Sequence, residues 1–240
     1  MSVSPTRCRR SNESSLKVDV PGLAILKTFF AAHLITVLLF ATGCQSVYYQ
    51  TMEKLGYQKR EILIDRVEDA RDVQEEAKEQ FQSALEEFSS VVNFSGGELE
   101  RKYEALNAEF NDCKSKANAV RDRIVAVEDV AEALFDEWES ELKQYTNDKL
   151  RRASQRKLVQ TRKHYAQLIG AMKRAESKMD PVLAAFQDQV LYLKHNLNAQ
   201  AIAALHDELV SVEEDIASLI REMEVSIAEA DNFIKAMVEA

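Results

Sequence analysis

Glycine and proline are scarce in this chain: six Gly and three Pro occur in 240 residues, and two of the prolines precede residue 22. Because these residues punctuate secondary structure most strongly, their scarcity excludes a loop-rich or all-β fold and predicts few, long helices. Beyond Cys44 the remaining breakers are Gly56, the pair Gly96 and Gly97, Gly170, and Pro181. Cysteine is equally rare, with Cys8, Cys44 and Cys113 far apart in sequence, so no disulfide framework is expected. An excess of positive charge is missing too. The net charge of −9 argues against nucleic acid as the main partner.

Catalytic signatures are also wanting. No glycine-rich loop followed by Lys-Ser or Lys-Thr exists to cradle phosphates, and Gly96-Gly97 leads into Glu98, whose charge opposes a phosphate. His164, His195 and His206 include no i,i+4 pair, and no two cysteines stand at ligand spacing, so no metal is expected. No serine sits on a strand-to-helix elbow, since no strand is predicted. The chain reads as a non-enzyme without a cofactor.

What is present begins with a leader. Lys27 precedes the apolar stretch Thr28 to Phe40, about the length of a signal-peptide core and short for a membrane span. It ends in Ala41-Thr42-Gly43-Cys44, small residues before a cysteine, as in a bacterial lipobox, although Ala41 stands where Leu is usual. Residues 1–43 are therefore expected to be removed and Cys44 to carry the lipid, the long stretch before Lys27 pointing to a start downstream of Met1; the alternative is an uncleaved anchor with an incidental cysteine. Two or more acyl chains, at about 0.8 kcal/mol per buried methylene, make attachment stable. Residues 44–57 form the lipidated tether. Gln45 follows the cysteine, where an Asp would favour inner-membrane retention, so the expected site is the outer membrane, facing the periplasm.

From residue 58 onward apolar residues recur at alternating spacings of four and three, the mark of heptad seams. The first seam is Leu63, Val67, Ala70, polar Gln74, Ala77, Phe81, Ala84, Phe88 and Val91; Gly96-Gly97 then supplies a hairpin turn. A second runs from Leu99 through Leu106, Cys113, Val120, Val127, Leu134 and Trp138 to Tyr145, with Cys113 as a packed core residue. Between Tyr145 and Leu158 the phase slips, which predicts a kink, before Thr161, Leu168, Met172 and Met179 restore it. Asp180-Pro181 reads as an N-cap and first helical residue. The last seam uses Val182, Phe186, Leu193 and Leu197, then Ile202, Leu205, Val212, Leu219, Met223, Ser226 and Phe233. Asn196 and Asn198 are weak helix formers that could bend it, but a continuous helix is expected. The predicted fold is all-α: an elongated antiparallel coiled-coil bundle of three long helices (58–94, 98–179 and 181–238), the middle one kinked, forming one domain over 58–240. A three-helix rod leaves flanks uncovered, so a homo-oligomer is expected.

Charge is unevenly spread. Residues 149–178 carry ten basic groups and one acidic, while 45–148 carry 13 and 25, and 179–240 carry three and 12. Lys149, Arg151, Arg152, Arg156, Lys157, Arg162, Lys163, Lys173 and Arg174, with Lys178, form a candidate anion-binding face. The alternative is pairing with acidic neighbours along one solvated face. In the periplasm the targets would be lipid headgroups, peptidoglycan carboxylates or an acidic protein. A membrane-bending bundle of three kinked helices with a basic end is similar in plan, an analogy of fold alone.

The lipobox-like segment, Tyr48-Tyr-Gln-Thr-Met-Glu-Lys-Leu-Gly56, Gln74-Glu-Glu-Ala-Lys-Glu-Gln-Phe81, and the region from Asp180-Pro-Val-Leu to Leu193-Lys-His-Asn-Leu-Asn-Ala-Gln-Ala-Ile202 resemble one family. It is the bacterial lipoprotein family catalogued as domain of unknown function 2959, and the likeness covers nearly all the mature chain. That resemblance implies no assigned activity, so no catalytic or binding residue is carried over. Some members are labelled DNA repair ATPases, a generic coiled-coil likeness for which the phosphate-binding motif is missing here. The expectation is a periplasm-facing envelope lipoprotein acting as a structural or interaction scaffold. Its partners would be the membrane, through the lipid, and an envelope protein or anionic surface. The alternative is a membrane-surface or curvature-associated module using residues 149–178.

Overall fold

The computed structural model of the protein describes residues 58–94 and 98–239. They form four helices: α1 (Lys59–Val92), α2 (Leu99–Leu142), α3 (Asp148–His195) and α4 (Ala199–Val238). No strand occurs among the described residues. The all-α class stands; the number of helices is four rather than three. Cys44 and the Gly96-Gly97 turn lie outside the described residues.

Each helix packs against two others, in the cyclic order α1, α2, α3, α4 and back to α1. Cross-helix pairs run in opposite senses along the chain, so neighbours are antiparallel. Lys59 meets Glu137 while Lys102 meets Glu87 between α1 and α2, and Arg162 meets Glu139 while Lys173 meets Glu128 between α2 and α3. Arg174 reaches Glu222 on α4, and Arg71 of α1 reaches Asp231 of α4. The arrangement is a four-helix bundle in up-down-up-down order.

The seams are the core. Every seam position expected on α1 is buried, as are Leu106, Cys113, Val120, Val127 and Leu134 on α2. On the other pair, Leu168, Met172, Met179 and Phe186 of α3 face Leu205, Val212, Leu219 and Met223 of α4, all buried. The apolar stripes are narrow and the helices long, α3 spanning roughly 72 Å at 1.5 Å per residue, so stability comes from covering these stripes mutually. Four helices in one chain cover seams that three would have left for a second copy.

Two expected boundaries move, and asparagine explains both. The slip after Tyr145 is a complete turn: α2 ends at Leu142, and the Asn147 side chain accepts hydrogen bonds from the backbone N–H groups of Lys149 and Leu150 at 2.9 and 3.2 Å. That satisfies two of the orphan donors that open α3. Likewise the expected continuous helix from 181 to 238 is broken at Asn196–Asn198. Asn196 donates back to the Tyr192 carbonyl at 2.9 Å, closing α3, and Asn198 accepts from Ala201 N–H at 3.0 Å, opening α4. Leu197, placed on the seam by periodicity, is exposed in this turn.

The expected helix start at Asp180-Pro181 is corrected in the opposite direction, since α3 passes straight through it. Asp180 is not a cap; its carboxylate pairs with Arg121 of α2. Pro181 sits on the solvent side, between buried Met179 and Val182, which hold the helix on its track. An interior proline removes one backbone hydrogen bond and costs about 3 kcal/mol relative to Ala, less about 0.4–1 kcal/mol from a stiffer unfolded chain. Pro181→Ala is therefore expected to stabilise the protein by about 2 kcal/mol in urea unfolding. A proline at the first position of a helix would give no gain.

Candidate anion-binding face

The basic residues singled out by sequence all lie on α3, but the fold divides them into two groups. Along the shaft three are paired: Arg162 reaches Glu139 at 2.5 Å, Lys173 reaches Glu128 at 2.5 Å, and Arg174 reaches Glu222 at 3.4 Å, while Lys178 beyond them is exposed without an acidic partner among the described residues. Arg162 also stacks over the Phe135 ring at 5.1 Å, and Phe135 packs edge-to-face on Tyr165 at 5.4 Å. These contacts stitch α3 to α2 and α4. Exposed pairs of this kind are each worth about 0–1 kcal/mol, and they leave little charge for an external anion. Burial, aided by Glu128 and Glu132, pushes the Tyr165 hydroxyl up to about 12, so it stays neutral and packed.

Toward the α2–α3 turn the pattern reverses. Lys149, Arg152 and Arg156 are exposed and have no acidic partner among the described residues; Arg151 pairs only with Asp148, within its own first turn. Lys143, at the end of α2, joins them from across the turn and is exposed, as Lys163 is farther along α3. Residues 143–163 hold eight basic groups and one acidic, Asp148. The sequence reading included Lys173 and Arg174 in this face and omitted Lys143, because membership depends on which neighbours lie opposite.

The turn stands clear of the bundle for a structural reason. At this end α1 begins at Lys59, whose Nζ meets Glu137 at 3.1 Å, and α4 finishes beside a small recess that Met237 and Lys157 both line. Beyond those levels, among the described residues, α2 and α3 have only each other. Trp138 donates its indole N–H to Ser154 Oγ at 2.8 Å, the last side-chain link between them before the turn. No residue from 139 to 157 is buried. Tyr145, Leu150 and Val159 are exposed among the basic groups, Leu150 at 56% and Val159 at 64%. Arg152, Arg156 and Val159, spaced four and three apart, line one open strip with Gln155.

The recess of about 10 Å³ between α3 and α4, lined by Lys157, Thr161, His164, Phe233 and Met237, has room for one water. Among the described residues no three His, Cys, Asp or Glu side chains are grouped to hold a metal ion, and no helix is long and apolar enough to cross a membrane. Cys113 is buried, and its thiol donates to the Gln80 carbonyl at 3.6 Å. Burial first, then Glu109, pushes its pKa up to about 12, so the thiol is a core group rather than a nucleophile.

The family model for a protein of unknown function, DUF2959, matches residues 48–237. The chain belongs to this family. The DUF2959 region takes in α1, α2, α3, the projecting turn and all but the last residue of α4, and it begins four residues after Cys44. No curated protein and no solved structure matches the chain.

Proposed function

We propose that this DUF2959 protein is a periplasm-facing envelope lipoprotein, held by acyl chains on Cys44, whose helical bundle serves as a structural or interaction scaffold rather than a catalyst. The observation that carries the reading is the apolar run Thr28 to Phe40 ending in Ala41-Thr42-Gly43-Cys44, followed directly by a helical domain. Fourteen residues separate Cys44 from α1, a connection of at most about 50 Å when fully extended. The bundle offers long, mixed-charge helical faces and little enclosed volume, which suits contact with macromolecules better than capture of a small substrate.

The test is processing. Wild-type chain is expected to mature with a diacylated or triacylated N-terminal Cys44 peptide in the mass spectrum of the membrane fraction. Cys44→Ala, or inhibition of the lipoprotein signal peptidase, should leave the full-length precursor uncleaved. Normal processing of Cys44→Ala would sink the anchor assignment.

A further inference from the structure

The paired and unpaired halves of the basic segment have different geometry, and the difference points to an occupant. We propose that the α2–α3 turn, from Lys143 to Val159, is a docking surface for anionic phospholipid headgroups of the same bilayer that holds the lipid on Cys44. This deepens the preceding proposal and rests on its anchor.

Three observations converge. The first is charge: Lys143, Lys149, Arg152 and Arg156 are exposed without acidic partners among the described residues, in a segment with one carboxylate. The second is the mixture of groups. Tyr145, Leu150 and Val159 are exposed between those cations, where apolar side chains can enter the headgroup region while the cations stay with the phosphates. A turn that projects past the other described helices, with only a wide-open strip along Arg152, Gln155, Arg156 and Val159, fits a broad, yielding surface better than a peptide that needs a cleft. The third is direction. Lys59 meets Glu137 at this end, so the chain coming from Cys44 enters the bundle at the level from which the turn projects. The first residues of α1 and the cations of the turn thus lie at one end of the bundle. A lipid together with a polybasic patch is the combination that makes peripheral attachment firm.

The experiment uses the full acylated chain reconstituted into phosphatidylcholine vesicles with or without phosphatidylglycerol. A polarity-sensitive dye is placed on Leu150→Cys at the turn or, as a control, on Val225→Cys, which is exposed on α4. Buried Cys113 does not compete for the label in the folded protein. A blue shift is expected at position 150 only with phosphatidylglycerol and should fade with added salt, because surface charge attraction is screened. No shift is expected at 225.

Each basic group near an anionic surface contributes roughly five-fold to association. Arg152→Gln with Arg156→Gln should therefore lower the docking equilibrium roughly 25-fold, and Lys173→Gln with Arg174→Gln should leave it unchanged. An acylated, floating chain whose dye at 150 stays silent on anionic vesicles overturns the headgroup contact and favours an acidic protein as occupant. A chain without acyl groups overturns the anchor itself, and the placement of the turn with it; the mass spectrum separates the two failures.

Discussion

Phe186→Ala is expected to lower the unfolding free energy by about 3–5 kcal/mol, the usual cost of emptying a fully buried aromatic site. In a chain of this size the melting temperature should fall by roughly 10 °C. Phe186 is fully buried on α3, and its ring meets that of Phe88 on α1 edge-to-face, with centroids 6.2 Å apart and planes at 83°. The contact crosses the bundle diagonally. Such a pair adds about 0.5–1.5 kcal/mol beyond area burial, so the double variant with Phe88→Ala should cost less than the sum of the single changes by about that amount. The sign of this coupling also tests topology. With a chain that turned back at Pro181, Phe186 would lie near the bottom of a third helix and Phe88 near the top of the first. Additive losses would support that three-helix path; coupling supports four helices.

The seams themselves were legible because burial on a helix follows a period that the residues display. Ala175, Met179, Val182, Phe186, Gln189 and Leu193 are all buried, at spacings of four, three, four, three and four, with no slip across Pro181. The unbroken period was the better guide to α3, and the Asp-Pro pair misled because its capping chemistry is only a local preference. The true end of α3 shows in the period as well. After Leu193 the next buried residue of known environment is Ala201, eight positions on rather than seven, and Asn196 and Asn198 stand in that gap. Asparagine side chains end or begin helices here by hydrogen bonding to the backbone, a role that a search for glycine and proline overlooks.

The basic segment was visible as a count of charges, but its division was not. Glu128 and Glu139 lie on α2 and Glu222 on α4, 23 to 48 residues away from the cations they meet. Only the antiparallel register decides that Arg162, Lys173 and Arg174 have partners and that Lys149, Arg152 and Arg156 do not. Lys143 joined the surface for the same reason, since a turn at Asn147 brings the end of α2 beside the start of α3.

Gln74→Leu combined with Ser226→Ala is expected to stabilise the protein by about 2–4 kcal/mol, an unusual gain for changes in a core. Gln74 occupies a seam position on α1 and Ser226 one on α4; both are completely buried, and neither the Gln74 amide nor the Ser226 hydroxyl has a hydrogen-bond partner among the described residues. The Arg71–Asp231 pair at 3.0 Å sets the antiparallel register of these helices, which brings Gln74 and Ser226 to nearly the same level. A buried polar group without a partner costs about 1–3 kcal/mol, and an apolar residue of similar size removes the cost. Polar residues at seam positions are retained elsewhere because they penalise wrong registers. The double variant should accordingly melt higher but also sample shifted helix pairings, detected as loss of a single set of methyl resonances. A loss of stability would instead mean that both groups are satisfied in solution, by ordered water or by each other, and that this layer holds the bundle together.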